Sequence, residues 1–198
     1  MQYSIAFVFD ERKATQAACY LLSLNNGRMN YMKLIKLLYL SDRKYILDFS
    51  NSITTDCYVS MDNGPVTSNI YDLIKEGKKD TGSYWSSRIH TDDYDVCMIK
   101  HEPDYGYLSP MEMEIIGSID EQFKNYKEWD VVNYCHNNLR EWQNPAGSMI
   151  RISIEDIIRA EKSGEKAEEN IEETALAADI QKGNYRLMRE IENGNFSR

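Results

Sequence analysis

Residues 34–40 constrain the fold more than any other part of the chain, because their sequence, LIKLLYL, is apolar almost without interruption. An α-helix that is apolar on nearly every face has to be surrounded by other elements. Asn30 precedes this segment and belongs to the residue types that cap helix N-termini. The chain turns polar only at residues 41–44. The pattern therefore predicts a helix from Tyr31 to about Phe49, and we expect it to be the buried central helix of the fold.

Five further segments show helical spacing of apolar residues or helix-start signals. The clearest start is Ser109-Pro110, since Ser is a favoured N-cap and Pro is favoured at the first helical position. The sequence predicts these five helices over residues 10–24, 68–76, 109–123, 128–142 and 153–160.

Three short segments, residues 54–61, 83–89 and 94–100, favour strands because they are rich in aromatic and β-branched residues. Residues 90–93 and 62–65 are predicted turns, and Pro at the end of the second should prevent a continuing ladder. We expect the three strands to form one sheet. The sequence thus predicts an α+β fold that is predominantly α-helical, a compact helical domain around a buried central helix with a small antiparallel β-sheet.

The composition changes at Gly164. Six acids and one base, Lys166, occupy residues 165–180, and apolar residues keep a helical spacing beyond them. We expect residues 1–163 to form the main domain and residues 164–198 to form an acidic, partly helical and separable C-terminal tail. Gly183-Asn184 is a candidate break within that tail.

Charge and cysteine usage limit the classes of function. The 198 residues carry a net charge of −9, which argues against a general nucleic-acid binder because phosphate contacts need a basic field. The sequence contains no run of 18 apolar residues, so no membrane helix is expected, and the N-terminus does not resemble a signal peptide. The four cysteines form no CxxC pair. We therefore expect reduced thiols and a cytoplasmic location.

The sequence lacks the motifs that mark common catalytic sites. It contains no GxxxxGK[ST], GxGxxG, HExxH or GxSxG pattern. The adjacent Cys135 and His136 would diverge on a helix and are poorly placed to chelate one ion. We therefore expect neither a catalytic site nor a metal site nor a cofactor, and we expect that the protein is not an enzyme.

Two features leave alternatives open. Lys33, Lys36, Arg43 and Lys44 form a basic stripe on the central helix, which is either a solvated edge or a partner for the acidic tail or for another molecule. Two helices followed by a strand pair also suggest a winged helix-turn-helix, and hence a DNA-binding transcriptional regulator of its own operon. Against the second interpretation, the supposed recognition helix is the most apolar segment of the chain, whereas a helix that reads DNA needs a polar, basic face.

Residues 54–73, which we call the corner segment, concentrate polar, aromatic and turn residues. One interpretation is a purely structural corner with half-buried tyrosines. The other is a protein-binding edge, since Tyr, Met and Pro beside a rigid turn make good interface anchors. The candidate partner-binding residues are Asp56, Tyr58, Met61, Asn63, Pro65, Asn69 and Tyr71.

Two blocks of the sequence carry a family resemblance. Residues 33–43, KLIKLLYLSDR, resemble the KLxKLLYLADR signature of the Panacea domain, found in SocA-like antitoxins, and residues 53–66, ITTDCYVSMDNGPV, are similar to the family's ITGDxYVAMxxGPVP. Residues 68–73 resemble the helix that follows. The resemblance spans about residues 10–160, with departures at Asp62 and Thr67 that we expect to bear on partner choice and not on the fold.

The resemblance implies an antitoxin of a bacterial or phage toxin–antitoxin system that neutralises its toxin by direct binding. It also implies a second possible role, in which the antitoxin acts as an adaptor that hands its toxin to a AAA+ protease. An acidic antitoxin suits a basic toxin, because opposite fields speed association. The corner segment and the acidic tail are the expected contact regions. The sequence leaves the oligomeric state open, including a homodimer.

Overall fold

The computed structural model describes residues 5–76, 82–99 and 104–192. Within them the chain forms helices and short strands in a mostly helical α+β fold, as predicted. The helices are α1 (Glu11–Ser23), α2 (Tyr31–Phe49), α3 (Ser68–Glu76), α4 (Pro110–Gln122), α5 (Glu128–Asn138), α6 (Ile154–Glu161) and α7 (Glu165–Glu192). The strands are β1 (Arg28–Asn30), β2 (Tyr58–Met61), β3 (Gly64–Thr67), β4 (Ile89–Asp92), β5 (Asp95–Met98) and β6 (Ile150–Ile152).

Helix α2 is the centre of the fold, which confirms the main prediction. Asn30 caps it by accepting a hydrogen bond from the Met32 N–H at 2.9 Å. Every side chain from Leu34 to Asp42 is buried, and α2 packs against α1, α4, α5, α6 and β3. The helix ends at Ser50, whose φ of 53° turns the chain out of the helical path.

The strands form two three-stranded antiparallel sheets, so the prediction of one sheet was wrong. The first has the order β1-β5-β4, and the second has the order β3-β2-β6. Three of the six strands in the described residues, β1, β3 and β6, have no counterpart among the predicted ones. Strands β1 and β6 are only three residues long and are defined by their partners, because Arg28 pairs with Cys97 in β5 and Ile152 pairs with Tyr58 in β2.

The predicted strand at residues 83–89 was also wrong. Residues 84–88 form turns, and β4 begins only at Ile89. Serine hydroxyls give the backbone a local alternative to a ladder. The Ser86 N–H donates to Ser83 Oγ at 3.1 Å, and Ser87 Oγ donates to the Tyr84 carbonyl at 2.6 Å. The turn between β4 and β5 therefore lies at residues 93–94, later than predicted.

Pro65 does not end the second sheet, contrary to the prediction. It lies inside β3 and pairs with Ser60 of β2. Strand β3 is an edge strand, where a proline without an N–H removes no ladder hydrogen bond if that side faces away from the neighbouring strand. Residues 62–63 alone make the turn between β2 and β3.

Later helix boundaries follow local signals to different extents. Ser109 caps α4 with a capping box that includes Glu112, and Ser153 caps α6 in the same way with Asp156. Helix α5, in contrast, ends at Asn138 and not near residue 142 as predicted.

Helix α7 runs without a break through Gly183, so the predicted interruption was wrong. Its first half is docked on the core: Asn170 is buried and donates from Nδ2 to the Ile46 carbonyl at 3.1 Å. Gln181 exchanges hydrogen bonds of 2.9 and 2.8 Å with the backbone of Val8. Separate folding of residues 164–198 remains a prediction. None of the helices in the described ranges is both long and apolar enough to cross a membrane.

Candidate functional site

Asp42 anchors the chain that leads into the corner segment. Its buried carboxylate accepts the N–H groups of Ile53 and Thr54 at 2.8 and 2.9 Å, together with the hydroxyls of Ser52 and Thr54. These bonds occupy backbone donors that would otherwise enter a strand, which explains why β2 starts at Tyr58 and not at Thr54 as predicted. Burial raises the pKa of Asp42, and the bonds from Thr54 and Ile53 act in the opposite direction.

Arg43 fastens α2 to two distant parts of the chain. Its Nε donates to Glu141 at 2.7 Å and its Nη2 donates to Glu161 at 2.6 Å. Glu141 is buried and also accepts the hydroxyl of Tyr39 at 2.8 Å. Burial lowers the pKa of Arg43, but the bonds and charge of the two glutamates outweigh that effect and keep it raised. The Asp-Arg pair of the first sequence block therefore holds distant parts of the fold together.

Asp56 fixes the start of α3. Its carboxylate accepts the backbone N–H groups of Asn69 and Ile70 at 2.9 and 3.0 Å and the Asn69 side-chain amide at 2.7 Å. A carboxylate at a helix N-terminus satisfies donors that the helix itself leaves free. Burial raises the pKa of Asp56 to about 6, while the bonds from Asn69 and Ile70 lower it.

The turn between β2 and β3 closes over the side chain of Lys36. Gly64 has φ +98°, and a Cβ at this position would lie 3.1 Å from Lys36 Cε, so glycine meets both a backbone and a packing requirement. Lys36 Nζ donates to the Pro65 carbonyl at 2.7 Å. Trp142 supports the other side of the turn by donating from Nε1 to the Met61 carbonyl at 3.0 Å.

A pocket of about 210 Å³ lies between the start of α2 and this turn. Three of the predicted partner-binding residues, Met61, Asn63 and Tyr71, line it together with Tyr31 and Lys36. The structure therefore gathers part of the predicted set around one concave feature.

The other four predicted residues lie elsewhere in the corner segment. Tyr58 is only 2% exposed and packs edge-on against Tyr39, and Pro65 is buried in β3. Asp56 and Asn69 bind one another below the first turn of α3. Contact between these residues and a partner remains a prediction.

Two large exposed side chains lie next to residues that line the pocket. Met149, 67% exposed, follows the pocket residue Ser148, and Tyr94, 65% exposed, stacks on Tyr31 with ring centroids 6.4 Å apart. We call Tyr31, Met61, Tyr71, Tyr94 and Met149 the rim. Aromatic residues and methionine are enriched at protein interfaces, whereas exposed apolar groups of this size are otherwise costly to solubility.

The basic stripe on α2 is a solvated edge only at Lys44, whose side chain is 42% exposed and pairs with Asp48. Lys36 is 1% exposed, and the Arg43 side chain is largely buried. Lys33 donates to the carbonyls of Phe123 and Tyr126 at 3.0 and 2.7 Å. The sequence analysis did not identify Lys36 as a site residue. The signal that could have identified it is that Lys36 is the one charged residue within the apolar run at residues 34–40.

The structure bears on two further interpretations from the sequence. Helix α2, the supposed recognition helix, is buried from Leu34 to Asp42 and packed against other elements, so this stretch has no open face to enter a DNA groove. Across residues 5–76, 82–99 and 104–192, no three His, Cys, Asp or Glu side chains are grouped so that they could hold a metal ion.

Comparisons with known proteins place the site within a family. A search of curated proteins and a search of solved structures return no match to this chain. A family model described as antitoxin SocA-like, Panacea domain, matches residues 34–143, which is more than half of the 198 residues. The matched range includes α2, the corner segment and Glu141. The chain therefore belongs to the SocA-like antitoxin family, with its Panacea domain at residues 34–143.

Proposed function

We propose that the protein is the non-enzymatic antitoxin of a bacterial or phage toxin–antitoxin pair, and that it neutralises its toxin in the cytoplasm by binding it. The observation that carries the proposal is the family match, which spans residues 34–143. The exposed rim around the pocket supports it, because a cluster of methionine and tyrosine side chains beside a concave feature suits a protein partner.

The rim is the proposed toxin contact, and Met149 offers a point where it can be tested without disturbing the core. Its side chain is largely in solvent, so Met149→Asp should leave the fold intact. An aspartate there would have to be desolvated when the toxin covers the rim. We expect binding to weaken about 10-fold or more, since an unpaired desolvated charge costs several kcal/mol.

Met111→Asp is the matched control. Met111 is 40% exposed and lies in the first turn of α4, where an added acid is favoured by the helix dipole. The α4 N-cap Ser109 is hydrogen bonded to Tyr45, which lies about 20 Å along α2 from Tyr31 and the pocket. This variant adds the same charge to the same residue type on a remote surface.

The experiment co-expresses each variant with the product of the neighbouring gene and measures growth rescue and the dissociation constant. Rescue by the wild-type chain and by Met111→Asp, with weaker binding by Met149→Asp, supports the proposal. Failure of the wild-type chain to bind or rescue refutes the antitoxin function, and unchanged binding by Met149→Asp removes the rim from the interface. Repeating the rescue in a strain without its AAA+ proteases separates direct inhibition from an adaptor role.

The outward face of α7 is the second proposed contact region. Glu169, Glu172 and Asp179 are exposed there beside Leu176 and Ile180. Deleting the whole helix would uncover the core, since Asn170 and Thr174 are buried. Glu169→Gln/Glu172→Gln is a milder change, and it should lower the association rate of a basic toxin at low salt. A rate that is indifferent to salt would argue against electrostatic attraction.

A further inference from the structure

Lys36 is a buried cation without an anionic partner. Its side chain is 1% exposed, and its ammonium group donates one hydrogen bond, to the Pro65 carbonyl at 2.7 Å. In the part of the chain that the structure describes, no carboxylate forms an ion pair with it, although the neighbouring Arg43 has two. One hydrogen bond to a carbonyl does not repay the desolvation of a full charge.

Nothing in the surrounding packing requires a charge at this position. Apolar residues flank Lys36 on both sides along α2, and the buried Pro65 carbonyl needs one hydrogen-bond donor, which does not have to be charged. An apolar side chain of similar length would fill the same space at lower cost. A binding site for an anion, in contrast, does require an unpaired cation at the pocket. The cost of removing water from that cation is met when the protein folds, so it does not weaken binding of the ligand.

The pocket has the size of a side chain. Its volume of about 210 Å³ is below the roughly 300–1,000 Å³ of pockets that hold cofactors and drug-sized ligands. Tyr31 and Tyr71 line its walls, so a side chain entering it would pack its methylene groups on aromatic rings.

The local charge favours an anion, despite the acidic chain as a whole. Lys75 does not line the pocket itself, but its Nζ lies 3.9 Å from the centre of the ring of Tyr71, which does. Among the described residues, Asp62 is the acid that lines the pocket. Its side chain is exposed, and its carboxylate accepts the Gly147 N–H at 2.9 Å. Among the described residues, one buried cation, Lys36, therefore lines the pocket together with one solvated acid, and a second cation contacts the Tyr71 ring in its wall.

We propose that this pocket binds the carboxylate of an Asp or Glu side chain presented by the toxin, and that Lys36 forms its ion pair. This inference rests on the proposed antitoxin function, because the rim around the pocket is the proposed toxin contact. It adds the chemistry of the anchor: an acidic side chain on the toxin inserts between Tyr31 and Tyr71 and reaches Lys36.

The first test compares Lys36→Met with Lys33→Met in binding to the toxin encoded by the neighbouring gene. Both variants remove one positive charge from α2, but Lys33 lies outside the pocket and binds the Phe123 and Tyr126 carbonyls. We expect Lys36→Met to weaken binding about 30-fold, as for loss of one partner of a desolvated charge pair, and Lys33→Met to change it little. A folded Lys36→Met variant that binds as tightly as the wild-type chain would overturn the proposal.

The second test uses the wild-type chain alone and so does not depend on a variant folding or on the toxin. The capped residue N-acetyl-L-glutamate amide is titrated into the full chain while the backbone amide resonances of Asn63, Tyr71 and Ser148 are followed by NMR, with N-acetyl-L-glutamine amide as the isosteric neutral probe. Saturable shifts with the acid alone support the pocket. No shift with the acid, or equal shifts with the neutral probe, overturns it. If the toxin does not bind at all, the antitoxin function fails and this titration still decides the chemistry of the pocket.

Discussion

Replacing Asp42 with alanine should destabilise the protein far more than the loss of one acid from α2 suggests. Asp42→Ala would leave the N–H groups of Ile53 and Thr54 buried without acceptors. Each buried backbone donor that loses its partner costs about 1–3 kcal/mol, so the two together cost about 2–6 kcal/mol. Because the carboxylate itself is buried at a cost, its removal returns part of this energy. We expect a net loss of about 3 kcal/mol, a large share of the 5–15 kcal/mol that typical domains have.

Urea denaturation followed by circular dichroism measures this loss. With an m-value of about 2 kcal/mol per molar urea, a loss of about 3 kcal/mol lowers the midpoint by about 1.5 M. Asp42→Asn keeps one oxygen for the two N–H groups, and the Thr54 hydroxyl can turn to accept from the new amide. We expect this variant to lose only about 1 kcal/mol.

Asp48→Ala is the control for removing an acid from the same helix. Asp48 is exposed and pairs with Lys44 across one helical turn, so its loss should cost less than about 0.5 kcal/mol. The reasoning is refuted if Asp42→Ala unfolds within about 0.5 kcal/mol of the wild-type chain. Equal losses for Asp42→Ala and Asp42→Asn would show that the charge matters and not the acceptor geometry.

Two further predictions concern buried charges on α2 and their partners. Burial lowers the pKa of Lys36 to about 8 from 10.5, so this side chain binds fewer protons in the folded than in the unfolded chain between these values, and its own contribution to stability rises over that range. Lys36→Met should therefore be about 2 kcal/mol more stable at pH 7, because a charge penalty of about 3.4 kcal/mol is removed and a hydrogen bond of about 1.4 kcal/mol is lost. In denaturation series at several pH values this gap should close near about pH 9.5 and reverse above it, and a gap that is constant with pH would contradict the prediction. Glu141→Gln should lower the free energy of unfolding by about 3 kcal/mol, measured by urea denaturation, because Arg43 then pairs only with Glu161 and Tyr39 loses its carboxylate acceptor. A loss below about 1 kcal/mol would show that the ion pair with Glu161 is sufficient to hold Arg43.

The sequence predicted those elements whose signals are local. The apolar run at residues 34–40 is sufficient to require a buried helix, since no other arrangement hides all of its faces. Ser109-Pro110 and Ser153 gave the starts of α4 and α6 because a cap is made by neighbouring residues. Local signals also misled: serines in residues 83–87 formed turns where a strand was predicted.

The site depended on contacts between residues far apart in the chain. Met61, Asn63 and Tyr71 were predicted partner residues, but the sequence did not show that they would share a pocket with Tyr31. Glu141 lies 98 residues from Arg43, and no spacing rule links the two positions. Pairings of this kind follow from how the elements pack, and a single sequence does not reveal them.

The sequence by itself determined that a helix near residues 31–49 would be buried and that the chain would be a mostly helical member of an antitoxin-like family. Only the tertiary structure decided that Lys36 would be enclosed and unpaired. The physical reason is that its burial requires Gly64, on another element, to leave room for its side chain, while Asp62, the acid that the described part of the pocket contains, binds the Gly147 N–H. A charge on a helix becomes a solvated edge or a binding determinant according to what the rest of the fold places against it.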